Sequence, residues 1–210
     1  MPKILLALAL AATALLPGCG ALSALSGGPD RDVFELRPPA GGPFRCGRGR
    51  LAELVIEEPK TRGTLASERI MIRPNALQTQ YLPDAQWGDT VPTTLQDLLV
   101  RAFGDYDVFT HVGRAPLGTA GDYALISEIE DFNAEVQGKG AVVKLSVAAQ
   151  IVREMDAQVV ARGRFAAEGA APSTRTSDLI PAFDAASQQL LTQMTDWGLR
   201  GIGVSPGACR

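Results

Sequence analysis

Five residues near the end of the chain, Gly203-Val204-Ser205-Pro206-Gly207, spell G-x-S-x-G, the spacing that exposes a nucleophilic serine on a sharp turn. That turn requires a strand before it, a helix after it and a histidine base further along the chain. Only three residues follow Gly207, and the single histidine, His111, lies far upstream. The match reads as a coincidence in a glycine-rich tail, and His111 reads as a structural or solvated residue. Glu128, Glu130 and Asp131 bring carboxylates together in sequence. A general acid and base, however, are defined by their separation in space, so an exposed strand face is the expectation. With no C-x-x-C and no clustered His, Asp and Glu ligands, a metal centre cannot be assembled. No phosphate-binding G-x-x-x-x-G-K-[ST] loop is present either. The expectation is a chain without catalytic residues, metal or dissociable cofactor.

The three cysteines carry the remaining chemistry. Lys3 gives a positive start, residues 4–16 are uncharged and apolar save for Thr13, and Leu16-Pro17-Gly18-Cys19 follows at once. This is a secretory signal, and its end resembles the bacterial lipobox. The resemblance implies cleavage before Cys19, diacylglycerol on its sulfur and an acylated new N-terminus, so residues 1–18 form a lipoprotein signal peptide. An apolar run of 13 residues is shorter than the roughly 20 needed to span a bilayer. Several acyl chains, at about 0.8 kcal/mol per buried CH₂, would instead hold the protein on the membrane surface. Gly20 stands where an Asp would favour inner-membrane retention, so the periplasmic face of the outer membrane is expected over the inner membrane. Cys46 and Cys209 then remain in a compartment that permits disulfides, either bridged or as two free thiols.

Length and composition bound the scaffold that must position these groups. The chain has 210 residues, 46% hydrophobic and 20% charged, which is one domain with room for a core. A formal charge of −3 without a basic block lacks the electrostatic footprint of a nucleic-acid binder. Residues 19–31 are small and glycine/serine-bearing and read as a flexible tether with roughly 15–20 Å of reach. Residues 32–36 form a short extended segment stopped by Pro38-Pro39, and residues 40–50 a solvated loop holding Arg45, Arg48 and Arg50.

Strands are expected over 51–57 and 68–73, ended by Pro59 and Pro74, with 75–82 continuing the second after a break. Val91, Leu95, Leu98, Leu99, Ala102 and Phe103 then make one helical stripe, capped by Asp89 or Thr90 and closed by Gly104. A strand over 106–112 leads into a three-strand meander. In its first strand Tyr123, Leu125 and Ile129 fall on one parity and Phe132, Ala134 and Val136 on the other, which demands a bulge near Glu130 and Asp131. After the Gly138-Lys139-Gly140 turn, two strands alternate cleanly: Val143, Leu145 and Val147 against Lys144 and Ser146, then Phe165 and Ala167 against Arg164 and Glu168. The last helix begins at Ser177 or Asp178 with Pro181 in its first turn and presents Ile180, Phe183, Leu190, Met194 and Trp197 on one face. The expected fold is a mixed α/β (α+β) domain over 32–199, with a largely antiparallel sheet carrying two main helices on one face and an irregular tail over 200–210.

Asp32-Val33-Phe34-Glu35-Leu36 before prolines, Ser67-Glu68-Arg69-Ile70-Met71-Ile72-Arg73, and Gln86-Trp87 ahead of Leu95, Leu98 and Leu99 follow one another in an order that resembles the ABC-type transport auxiliary lipoproteins, the family of paraquat-inducible protein C. Arg69, Arg73 and Trp87 stand at the family's motif positions, as structural or interface residues. The resemblance implies a non-catalytic, docking component of a transport system that moves phospholipid or another hydrophobic substrate between envelope membranes. Its implied partners are a mammalian-cell-entry (MCE) domain protein with an inner-membrane permease and ATPase, and it is compatible with a homo-oligomer. Two other readings of an anchored periplasmic module stand beside it: an activator or assembly factor of another envelope machine, and an anchored hydrolase using Ser205.

Overall fold

The computed structural model describes residues 31–46, 52–114 and 121–209. The expectations for residues 1–18, Cys19, the tether, Arg48 and Arg50 lie outside these residues. From Asp32 onward the chain runs β1 (Asp32–Phe34), β2 (Ala52–Ile56), β3 (Lys60–Thr61), β4 (Arg69–Asn75), β5 (Gln78–Trp87), α1 (Val91–Gly104), β6 (Phe109–Arg114), β7 (Tyr123–Gln137), β8 (Gly140–Arg153), β9 (Gln158–Ala171) and α2 (Thr176–Gly201), with a 3₁₀ turn at Pro206–Ala208. All nine strands join one sheet, and both helices pack on its inner face. The expected mixed, largely antiparallel α/β architecture is what forms.

The spine is β7. Along one edge it pairs antiparallel with β8 over its whole length, and β8 pairs antiparallel with β9. Along the other edge three short strands take turns, each parallel to it: β2 beside Tyr123–Leu125, β3 beside Glu128 and Ile129, and β4 beside Ala134 and Glu135. A strand this long keeps one buried face only because its register shifts between Ile129 and Asp131. The extra residue flips the parity, so Leu125 and Ile129 before it and Phe132 and Ala134 after it all reach the core. In β8 no shift is needed, and Ala141, Val143, Leu145, Val147, Ala149 and Ile151 are buried in strict alternation.

Pro74 does not end a strand: it sits inside β4, in the irregular stretch between the Ile72–Gln80 and Asn75–Gln78 pairs, where the ladder with β5 is already interrupted. Strand β6, expected from Tyr106, starts later, at Phe109, and Tyr106 is bridged to Phe44 instead.

Helix α1 is capped by Thr90, whose Oγ1 accepts from the Thr93 amide at 3.5 Å. Helix α2 starts at Thr176 without a side-chain cap on its N-cap residue. Asp178 in its first turn accepts from Ser173 Oγ and from Arg175 at 3.1 Å; these bonds hold its carboxyl below the ordinary range and place a negative charge at the positive end of the helix. Pro181 consequently falls in the second turn. Gly169 of β9 allows α2 to approach closely, since a Cβ there would lie 2.3 Å from the Ala182 carbonyl oxygen. At the core's centre Trp87 meets Phe183 and Phe132 edge-on, with ring centroids 5.2 and 6.1 Å apart. No helix among the described residues is long and apolar enough to cross a membrane.

Candidate functional site

Besides the pairing of β1 with β5, two side-chain links fasten the arm over residues 32–46 to the body. Arg37 donates its backbone N–H to Asp184 Oδ1 at 3.0 Å and its guanidinium to Oδ2 at 2.5 and 3.2 Å, while Gln188 adds a bond to Oδ2 at 2.9 Å. Burial opposes charge on Asp184, but Arg37 and Gln188 outweigh it and hold the carboxyl below its usual value. Cys46 and Cys209 form the second link, a disulfide. Around it the Cys46 amide donates to Asp107 Oδ1 at 2.9 Å, and Phe44 stacks on Tyr106 with centroids 4.8 Å apart. The tail after α2 is thereby tied beside the arm.

The three family-motif positions separate. Trp87 is 1% exposed and belongs to the aromatic core. Arg69 is exposed, with its guanidinium 4.3 Å above the Tyr81 ring, and Tyr81 donates to the Thr64 carbonyl at 2.9 Å. Arg73 lies on the outer face of the sheet, where Nη1 is 3.9 Å from Asp131. Its buried Nε, and both amide atoms of the fully buried Asn133 on β7, have no hydrogen-bond partner among the described residues.

The catalytic candidates do not assemble. Ser205 is exposed and follows a helix where the serine elbow requires a strand, and His111 is exposed on β6. Glu130 accepts from Ser146 at 3.0 Å and Arg164 at 2.8 Å, Asp131 stands 3.9 Å from both Arg62 and Arg73, and Glu128 is solvent-exposed. Glu130 and Asp131 thus balance arginines on the outer face. Among the described residues no three His, Cys, Asp or Glu side chains are placed to hold a metal ion.

A feature that sequence reasoning missed is a hollow of about 580 Å³ on the same outer face, floored by Ile126 and Ala148 and bordered by Lys60, Glu128, Gln150, Arg162 and Arg164. The signal was present in the alternation: Arg164 of β9 lies opposite the small Ala148 of β8 and Arg162 opposite Gln150, but which strands lie side by side is not written in one strand.

The family of ABC-type transport auxiliary lipoprotein components matches residues 34–195. The chain belongs to that family. An uncharacterized protein of Bradyrhizobium diazoefficiens is 27% identical over 175 residues, 81% of this chain and 45% of that protein, so the chain spans about half of that relative's length. A protein of Xanthomonas campestris has a similar crystal structure, with a TM-score of 0.71 and 24% identity over 81% of this chain and 96% of that one. A second uncharacterized protein of known structure aligns with a TM-score of 0.60 and 15% identity over 79% and 97% of the two chains. Both likenesses are of fold. The match gives the chain the family's description, an auxiliary component of lipoprotein type, and the family implies a place in the cell envelope.

Proposed function

We propose that this auxiliary component is anchored through lipid on Cys19 at the periplasmic face of the outer membrane, where it receives an MCE-domain protein. An inner-membrane permease and ATPase would drive that partner, and the cargo would be phospholipid or another hydrophobic substrate. The observation that carries the reading is the family match across residues 34–195. Two further features support it. The catalytic candidates lie apart, as befits a docking role, and a disulfide fits an oxidising compartment. Tethering raises the local concentration of the domain at the membrane, so a weak interface suffices.

The test is Cys19→Ala in cells. The expected outcome is a folded domain released from the membrane fraction, with transport lost in a lipid-asymmetry or detergent-sensitivity assay. Full activity from the released protein would refute the docking role. Co-purification with cell-wall synthesis enzymes, without an MCE-domain protein, would transfer the anchored module to another envelope machine.

A further inference from the structure

Strand β9 pairs with β8 and with no other strand among the described residues, so one edge of a 14-residue strand is open. An unpaired edge is a row of main-chain donors and acceptors ready to take another strand. One of these groups shows its direction: the Ala166 carbonyl accepts from Gln193 Nε2 of α2 at 3.3 Å, away from β8, and an incoming strand would displace that side-chain amide. By the two-residue period of an antiparallel ladder, the main-chain groups of Arg162, Arg164 and Glu168 point the same way. The outer edge is therefore served by the residues whose side chains lie on the outer face.

The two sides of this edge differ in chemistry. On the outer side Arg162 and Arg164 border the hollow, whose far wall carries Lys60 and Glu128 side by side, so the positive charge is concentrated on the β9 rim. Arg162 and Lys60 form no ion pair among the described residues, and Arg164 bonds Glu130 at 2.8 Å with its side chain 72% exposed. On the inner side Phe165 and Trp197 are half-buried, in edge-to-face contact with centroids 5.1 Å apart. Gly163 permits that pair: a Cβ there would stand 2.5 Å from Phe165 Cζ and 3.2 Å from Trp197 Cε2. A strand laid along this edge would send alternate side chains toward the two arginines and toward the two rings.

We propose that the open edge of β9 is a docking site for an extended segment of a partner protein in which acidic and apolar residues alternate, the acids meeting Arg162 and Arg164 and the apolar residues covering Phe165 and Trp197. Charge complementarity selects the occupant. Two carboxylates two residues apart fit the arginine pair, whereas a further acid opposite Glu168 would be repelled, so the acidic stretch is short. The proposal gives the docking reading above a surface and a partner chemistry, and it rests on that reading for the partner's place in the envelope. Its test is a binding measurement, so it can fail while the anchor experiment succeeds, and the reverse.

The probe is a blocked nine-residue peptide with Glu-Val-Glu-Ile at its centre, added to the full mature chain in detergent; a Lys-Val-Lys-Ile peptide is the control. The expected result is slowed amide hydrogen exchange at Arg164, Ala166 and Glu168 with the acidic peptide only. R162E/R164E should weaken the acidic peptide by roughly tenfold or more and bind the basic one in its place. Both arginines are exposed, so an unchanged circular dichroism spectrum and Tm keep that variant informative. Ala166→Pro, which removes an edge donor, should abolish binding of the acidic peptide. Equal binding of the two peptides to the wild type, or no protection of β9, would overturn the proposal. So would protection that appears with rising protein concentration and no peptide, which would make a second copy of the chain the occupant.

Discussion

Where β7, β8 and β9 meet the two helices, a side chain such as Leu145 is one of many buried neighbours, and the contact is repeated down the length of each strand. The arm over residues 32–46 has instead a three-residue parallel strand against Ala85–Trp87, the Arg37–Asp184 clasp and the Cys46–Cys209 bond. The body is stabilised by apolar area, which is non-directional and shared among many residues. The arm depends on a few directional bonds, each of which answers to a chemical condition: pH for the clasp, redox state for the disulfide. Loss of one bond should therefore matter little in the body and much in the arm, except where the body has a keystone.

Trp87 is that keystone, since it belongs to β5, which carries the arm, and to the aromatic cluster of the body. Trp87→Ala should cost about 3–5 kcal/mol in urea unfolding and loosen both regions together. A loss confined to the arm would break the comparison. Replacing Cys46 and Cys209 together with Ser should cost about 2–4 kcal/mol, because the bond closes a long loop in the unfolded chain. Hydrogen exchange should then rise in residues 32–46 and after Gly201 while β8 stays protected. A digest of the non-reduced wild type should contain the linked peptides.

The smallest expected effect sharpens the comparison furthest. Asp184→Ala should cost about 1–2 kcal/mol through its lost hydrogen bonds. Because the folded carboxyl titrates below its ordinary value, the stabilisation is present above about pH 4 and is lost as pH falls through the folded value. The variant should accordingly show a shallower acid limb than the wild type, and an unchanged limb would remove the clasp from the account.

The same contrast governs what could be read in advance. The body is periodic, so its elements are legible: the alternation of β8 and β9, the stripe of α1, and even the bulge, which announces itself as a change of parity between Ile129 and Phe132. The arm's links are not periodic. Arg37 and Asp184 are 147 residues apart and nothing local marks either for the other. The insertion of β2, β3 and β4 in turn along β7 is equally silent, since parallel neighbours are chosen by the whole sheet. Pro74 misled because its cost depends on whether the ladder needs its missing N–H, and at that irregular point it does not. Among the site residues, Trp87 was recognisable as a motif position, but its place in the core follows only from Phe132 and Phe183 arriving from elsewhere. The hollow beside Arg162 and Arg164 is likewise a product of strand order.

The bond between positions 46 and 209, 163 residues apart, also has a topological effect. A single proteolytic cut anywhere between them would leave two fragments that travel as one molecule on a non-reducing gel and part only when the thiols are reduced. Envelope proteases could nick any surface turn in that interval, and the pieces would still share one covalent frame.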